Sequence, residues 1–204
     1  MKRYFVLIFI IASPLSSSFA QQITTLKIKK HIKYLSSDKL KGRATSSQQE
    51  LTAANYISQN FKEYGLLPKG NINSYYYSYK FKKLRFDADT IGGIMLSAIN
   101  VVAYLDNGVE NTVIIGAHFD HLGFEVDKNY TRSNKTTKIY NGADDNASGT
   151  AAVLELARYF AYNKRKEKFN FLFICFSGKE VIYQNKKQIY EAIYAGGLVD
   201  QLKL

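Results

Sequence analysis

Apolar residues recur along this chain at two periods, and the changes of period mark its elements. Ile28, Ile32 and Leu35 fall at helical spacing and predict a first helix over Ile23–Leu35. A polar loop, Ser36–Ser46, follows. Ser47 and Glu50 then make the S-x-x-E of a capping box. Leu51, Ala54, Ile57, Phe61 and Tyr64 form the apolar stripe of a second helix, with Gly65 as its stop and Pro68 just beyond. Beyond this point the period shortens. Tyr75–Phe86 is rich in Tyr and Phe, and Asn100–Leu105 is β-branched and apolar; both predict strands. Asp106-Asn107-Gly108 supplies a turn. Thr112–Ala117 is almost wholly apolar, the pattern of a central strand buried on both faces. Val153, Leu156, Ala157 and Phe160 give a third helix, and Phe169–Phe176 another buried strand.

Strands and helices in alternation predict an α/β fold of three αβα layers around a mixed, mostly parallel central sheet. The strands at Tyr75, Asn100 and Thr112 have no helix between them, so the sheet is expected to begin antiparallel and become mixed. The 204 residues hold one sizeable domain.

The amino terminus reads differently. Lys2 and Arg3 precede a short apolar run, Tyr4–Ala12, and Ser18-Phe19-Ala20 offers small residues at the two positions a signal peptidase reads. Residues 1–20 are therefore expected to be a cleaved export leader, which places the mature chain outside the cytoplasm, secreted or periplasmic, with no stable membrane anchor. The net charge is +11, and still +9 without Lys2 and Arg3. The charges are scattered, and the densest run, Lys164–Lys168, sits where a solvated loop is expected. A nucleic-acid or heparin-binding module is the alternative, and it predicts salt-sensitive binding. The single cysteine, Cys175, lies in an apolar run and reads as a buried structural thiol; it rules out an internal disulfide.

Three clusters carry chemistry. Gly116-Ala117-His118-Phe119-Asp120-His121 ends the second apolar strand, and ligands gather at the carboxyl ends of strands in open α/β sheets. Asp120 is placed to hold the second ring nitrogen of His118; a polar strand end facing water is the alternative. Gly142-Ala143-Asp144-Asp145-Asn146-Ala147-Ser148-Gly149 precedes the third helix. Capping needs only one of Asp144, Asp145, Asn146 and Ser148, so four in a row favours a site. Phe176-Ser177-Gly178-Lys179-Glu180 puts Glu180 at another strand end, where a solvated glutamate is the alternative. His and carboxylates at neighbouring strand ends, with no Cys₄ or phosphate-loop pattern, point to a hydrolytic metal site.

Together these residues resemble the dinuclear-zinc exopeptidases, a family of bacterial leucyl aminopeptidases and aminopeptidase Y with glutamate carboxypeptidase and glutaminyl cyclase as remoter members. The resemblance includes Leu35–Arg43, Tyr64-Gly65-Leu66 and Asn100-Val101-Val102-Ala103, and covers about Ile28 to Glu180. It implies the amino-terminal part of a zinc-peptidase domain, over 21–180, that releases amino-terminal residues from peptides. By resemblance His118 and Glu180 are zinc ligands, Asp145 bridges two zinc ions, and Asp120 stands behind His118. Asp144 is structural.

The chain departs from the family in three places. The family's glutamate pair is Lys179-Glu180 here, so Lys179 occupies the general-base position, where a protonated amine accepts no proton unless burial lowers its pKa. No His follows Glu180; His31 is expected on the surface of the first helix, and His121 is a neighbour of the site. Residues 181–204 diverge, as a truncated or frameshifted product would. One zinc or none is therefore expected, with catalysis impaired. The alternatives are a non-catalytic single-zinc protein and, less favoured, a glutaminyl-cyclase-like activity. A missing carboxyl portion would leave an apolar sheet edge open, and aggregation is expected from it. Peptides are the expected partners; side-chain preference and oligomeric state are left open.

Overall fold

A computed structural model describes residues 22–84, 93–126, 137–163 and 165–182. The expected leader, 1–20, and the tail from 183 onward lie outside the described residues.

Local signals place the helices. Helix α1 (Thr25–Leu35) starts at Thr24 rather than at Ile23, because the Thr24 side chain accepts from the Lys27 N–H and caps it. Helix α2 (Gln48–Glu63) is capped by Ser47, whose oxygen accepts from Glu50 N–H at 3.0 Å. The return arm of the box goes one residue further back: Ser46 N–H donates to Glu50 at 2.6 Å. α2 ends on Gly65 at φ +76°, and the Gly65 and Leu66 N–H groups close on Lys62 and Phe61 carbonyls. The segment expected to be a polar loop is partly buried. A short 3-10 turn, Asp38–Arg43, packs Leu40, Gly42 and Arg43 inside.

The strands are β1 (Leu67–Pro68), β2 (Tyr76–Leu84), β3 (Gly93–Leu105), β4 (Thr112–His118), β5 (Gly123–Val126), β6 (Thr137–Tyr140) and β7 (Asn170–Phe176). The main sheet runs β1-β3-β7-β4, with β2 also on β3; β5 and β6 form a separate hairpin. β1, β2 and β7 pair antiparallel to β3, and β4 pairs parallel to β7, so the sheet is mixed. One expectation is corrected. β4 is not central among the described residues: it is the outer strand, and its Ile114 is 45% exposed. The chain crosses over through helix α3 (Gly149–Tyr162) and inserts β7 between β3 and β4, so β7 is the buried strand. Two equally apolar strands cannot be ordered by composition, because the order is fixed by which edge the crossover reaches.

Among the described residues, the three long helices cover one face of the sheet. Leu35, Ala54, Ile57, Phe61, Leu154 and Ala157 pack on Val101, Ala103, Phe171, Phe173 and Cys175. The opposite face carries Tyr77, Val102, Leu172 and Ile174. Phe119 and Ala147 belong to the helix-side core, so the two loops expected to carry ligands are each pinned by a fully buried apolar residue. For Phe119 that burial contributes roughly 2–3 kcal/mol.

His31 is also corrected. It is 4% exposed, with Nδ1 2.8 Å from the Tyr56 hydroxyl and Nε2 3.4 Å from Glu155. Glu155 in turn pairs with Arg158 through two contacts of 3.0 and 2.9 Å. Helical spacing put His31 outward; the polar groups of α2 and α3 that satisfy it are far away in sequence. It takes no part in the metal cluster.

Candidate metal centre

Strand β4 delivers His118 to its carboxyl end, and Phe119 N–H extends the ladder to Phe176 O at 2.8 Å. The chain then buries Asp120 completely. Its Oδ2 accepts from Thr45 Oγ1 (2.9 Å), Gly178 N–H (3.0 Å) and Glu180 N–H (3.2 Å). Its Oδ1 has no hydrogen bond and lies 3.4 Å from His118 Nδ1. A buried carboxylate oxygen left over and aimed at an imidazole is the arrangement that fixes a ligand ring and raises its basicity. Burial by itself lowers the His118 pKa, but Asp120 outweighs it, and the net direction is up. Asp120 also gathers Gly178 and Glu180, so one side chain organises two of the expected ligand positions.

Asp145 arrives from the turn Ala143–Ser148, which Gly142 opens at φ +56°. A side chain at Gly142 would collide with the His121 ring and the Asp145 carbonyl. Capping of α3 falls to Asn146, whose Oδ1 accepts from Gly149 N–H at 2.9 Å. Asp145 is thereby released from capping. Its Oδ1 lies 2.9 Å from His118 Nε2 and its side chain is 57% exposed. Asp144 is exposed and outside the cluster.

Glu180 follows the left-handed Gly178 (φ +89°) at the start of helix α4 (Lys179–Ile182). His118, Asp145 and Glu180 each offer one ligand atom, all within 4.8 Å of one another. Lys179 is in the same place: its Nζ lies 2.7 Å from Glu180 Oε1 and 3.4 Å from Asp145 Oδ2. Partial burial lowers the lysine pKa, but Glu180 and Asp145 raise it by more, so the ammonium stays protonated. Desolvation pushes the Asp145 carboxyl up, but the Lys179 ammonium and His118 together outweigh it and hold the carboxyl below its usual range.

Two further residues organise the site and carried no role in the sequence. Arg43 is fully buried. Its guanidinium donates to Phe119 O (2.6 Å), Leu35 O, Asn141 O (2.8 Å) and Gly142 O (3.1 Å). It thus ties the turn after β4 to the loop leading into Asp145. Burial pushes its pKa down to about 10. Gly42, at φ +71°, lets this turn pass against the Gly123 and Tyr140 carbonyls. The Gly42-Arg43 pair was legible as a motif, but not its work, because each partner lies in another segment.

Glu50 is the second. It accepts from Ser177 Oγ and from Ile99 N–H (3.3 Å), directly beneath the strand end that leads to Lys179 and Glu180. Burial pushes its carboxyl up to about 7. A carboxyl that keeps its proton to higher pH when folded favours the folded chain at low pH. That advantage is lost as pH rises from about 4.5 to about 7, and amounts to about 3 kcal/mol. Glu50→Gln is expected to flatten this fall. Urea denaturation of both proteins at pH 5 and pH 8 checks it; parallel pH profiles would count against the assignment.

The donor set fits one zinc ion. Zinc takes His nitrogen and carboxylate oxygen at about 2.0–2.2 Å in a tetrahedron, so its ligand atoms stand about 3.3–3.6 Å apart. The three atoms here all lie within 4.8 Å of one another. Among the described residues this cluster holds three such ligands, and a second ion has no set of its own.

Residues 100–192 match the sequence profile of Peptidase family M28. No curated protein matches the sequence. Among solved structures, a glutaminyl cyclase from Fimbriiglobus ruber aligns with TM-score 0.55 at 17% identity, over 76% of this chain and 46% of its own. A leucine aminopeptidase precursor from Bacteroides thetaiotaomicron aligns with TM-score 0.52 at 16% identity, over 76% and 47%. A glutaminyl cyclase from Porphyromonas gingivalis aligns with TM-score 0.52 at 17% identity, over 77% and 48%. The chain spans about half the length of these structures. The resemblance carried by the motifs and the fold therefore agree on a zinc-dependent, peptidase-like α/β fold.

Proposed function

We propose, with the match of residues 100–192 to Peptidase family M28 as the premise, that this chain is an exported metallopeptidase-type domain of the aminopeptidase kind, with impaired catalysis. The observation that carries the reading is the convergence of His118, Asp145 and Glu180 in front of the buried Asp120. Zinc bound there would lower the pKa of a bound water and polarise a peptide carbonyl. His118, Asp145 and Glu180 would hold the ion, and Asp120 orients His118 and the Glu180 backbone. A general base must accept a proton, and the residue beside Glu180 is Lys179, an amine whose ordinary pKa of about 10.4 leaves it protonated and unable to do so. Slow or absent turnover follows.

Peptides outside the cytoplasm are the expected substrates, and export rests on the leader-like residues 1–20. No helix among the described residues is long and apolar enough to cross a membrane. The Lys179 geometry also favours a second reading, a protein that binds one zinc ion and does not catalyse. A cyclase-like activity has only the fold of the matched glutaminyl cyclases behind it.

Zinc titration of the purified chain, with leucine p-nitroanilide hydrolysis in the same sample, separates these readings. One equivalent of zinc is expected, lost by at least about a hundredfold in affinity in His118→Ala, with turnover near background. Zinc binding indifferent to His118→Ala would remove the site. Chelator-sensitive turnover would show that another group replaces Lys179 as base.

A further inference from the structure

Lys179 and Glu180 are neighbours in sequence at the start of α4. Adjacent helical residues do not face each other. Here they do converge: the Lys179 ammonium sits 2.7 Å from Glu180 Oε1 and 3.4 Å from Asp145 Oδ2, so a residue 34 positions away completes the grouping. The Asp145 carboxylate is engaged on both oxygens, by His118 Nε2 on one and by Lys179 on the other. Lys179 is 37% exposed, and a pair so open to water contributes little to stability. Fold stability therefore does not account for the lysine being there. Its position does. The ammonium lies against both carboxylates that, with His118, form the metal-ligand group.

We propose that Lys179 is a tethered counter-cation of the metal centre, taking up in the metal-free chain the charge that a zinc ion would neutralise, so that zinc binds only by displacing it. The inference rests on His118, Asp145 and Glu180 being the ligands. It makes the centre self-neutralised. The chain pairs its own acidic ligands without metal, and its zinc affinity is set by competition with a side chain at fixed, high local concentration. A dication and an ammonium on the same two oxygens repel, so the lysine must swing out when the ion enters.

The test is zinc affinity, measured by competition with a chromophoric chelator on the purified chain. Lys179→Gln removes the charge and keeps most of the length; at least a tenfold tighter zinc Kd is expected. Lys179→Arg keeps the charge and should bind zinc no more tightly than the parent. Unchanged or weaker zinc binding in Lys179→Gln overturns the counter-cation. If His118→Ala still abolishes binding in the parent, the ligand assignment survives that result. If Lys179→Gln binds zinc more tightly but adding His118→Ala leaves the gain intact, the ion sits elsewhere, and both the ligand assignment and the counter-cation fall. No zinc bound by any of these chains also overturns both. Circular dichroism confirms that each variant is folded.

Discussion

Arg43→Met is expected to cost about 3–5 kcal/mol of folding stability, enough to unfold much of a marginal chain. The Arg43 guanidinium is the common donor to the carbonyls of Leu35 and Phe119, which are buried, and of Asn141 and Gly142, which are partly so. Methionine fills the volume but leaves those carbonyls without a donor where water cannot replace it. Lysine restores a charge but not the planar fork, so Arg43→Lys should recover only part of the loss. Urea denaturation followed by circular dichroism gives both values. A loss below about 1 kcal/mol in Arg43→Met would mean that water reaches these carbonyls after all.

Asp120→Asn is expected to weaken zinc binding by about 10- to 100-fold while the chain stays folded. The carboxylate has only acceptors, and its two oxygens serve different partners. Three N–H or O–H donors meet Oδ2, and Oδ1 faces His118 Nδ1. An amide can be placed two ways round. Its NH₂ group then confronts either the three donors or His118 Nδ1, which keeps only the Asp120 main-chain oxygen, 3.2 Å away, as an acceptor. The first choice disorders Gly178 and Glu180, and the second turns His118. Chelator competition reads the affinity. A change of less than about threefold would show that Asp120 supports the loop without tuning the ligand, the weaker of the two roles its contacts allow.

These two residues differ in how far they could be read ahead of the structure. Asp120 was legible because its partner is two positions away at a strand end, and a carboxylate there has few other uses. Arg43 was not, because its partners Phe119, Asn141 and Gly142 lie 76 to 99 positions along the chain. The metal ligands fall between these cases. His118, Asp145 and Glu180 stood out by type and by their place beside strand or helix ends, yet nothing along the chain measured the distance between them. Lys179 was visible as a departure at the base position. Its contact with both carboxylates was not, and in the metal-free chain that contact raises its pKa where burial alone would have lowered it.

What the sequence determined by itself is local. The caps at Thr24 and Ser47, the stop at Gly65, the turn at Asp106–Gly108 and the alternation of helix and strand follow from hydrogen bonds and torsions among residues a few positions apart. The tertiary structure alone decided that β7 rather than β4 takes the middle of the sheet, that His31 turns inward to Tyr56 and Glu155, and that Arg43 and Glu50 lie beneath the site. Each of these depends on pairing between distant segments, where the free energy comes from burying and satisfying groups that only the folded chain brings together.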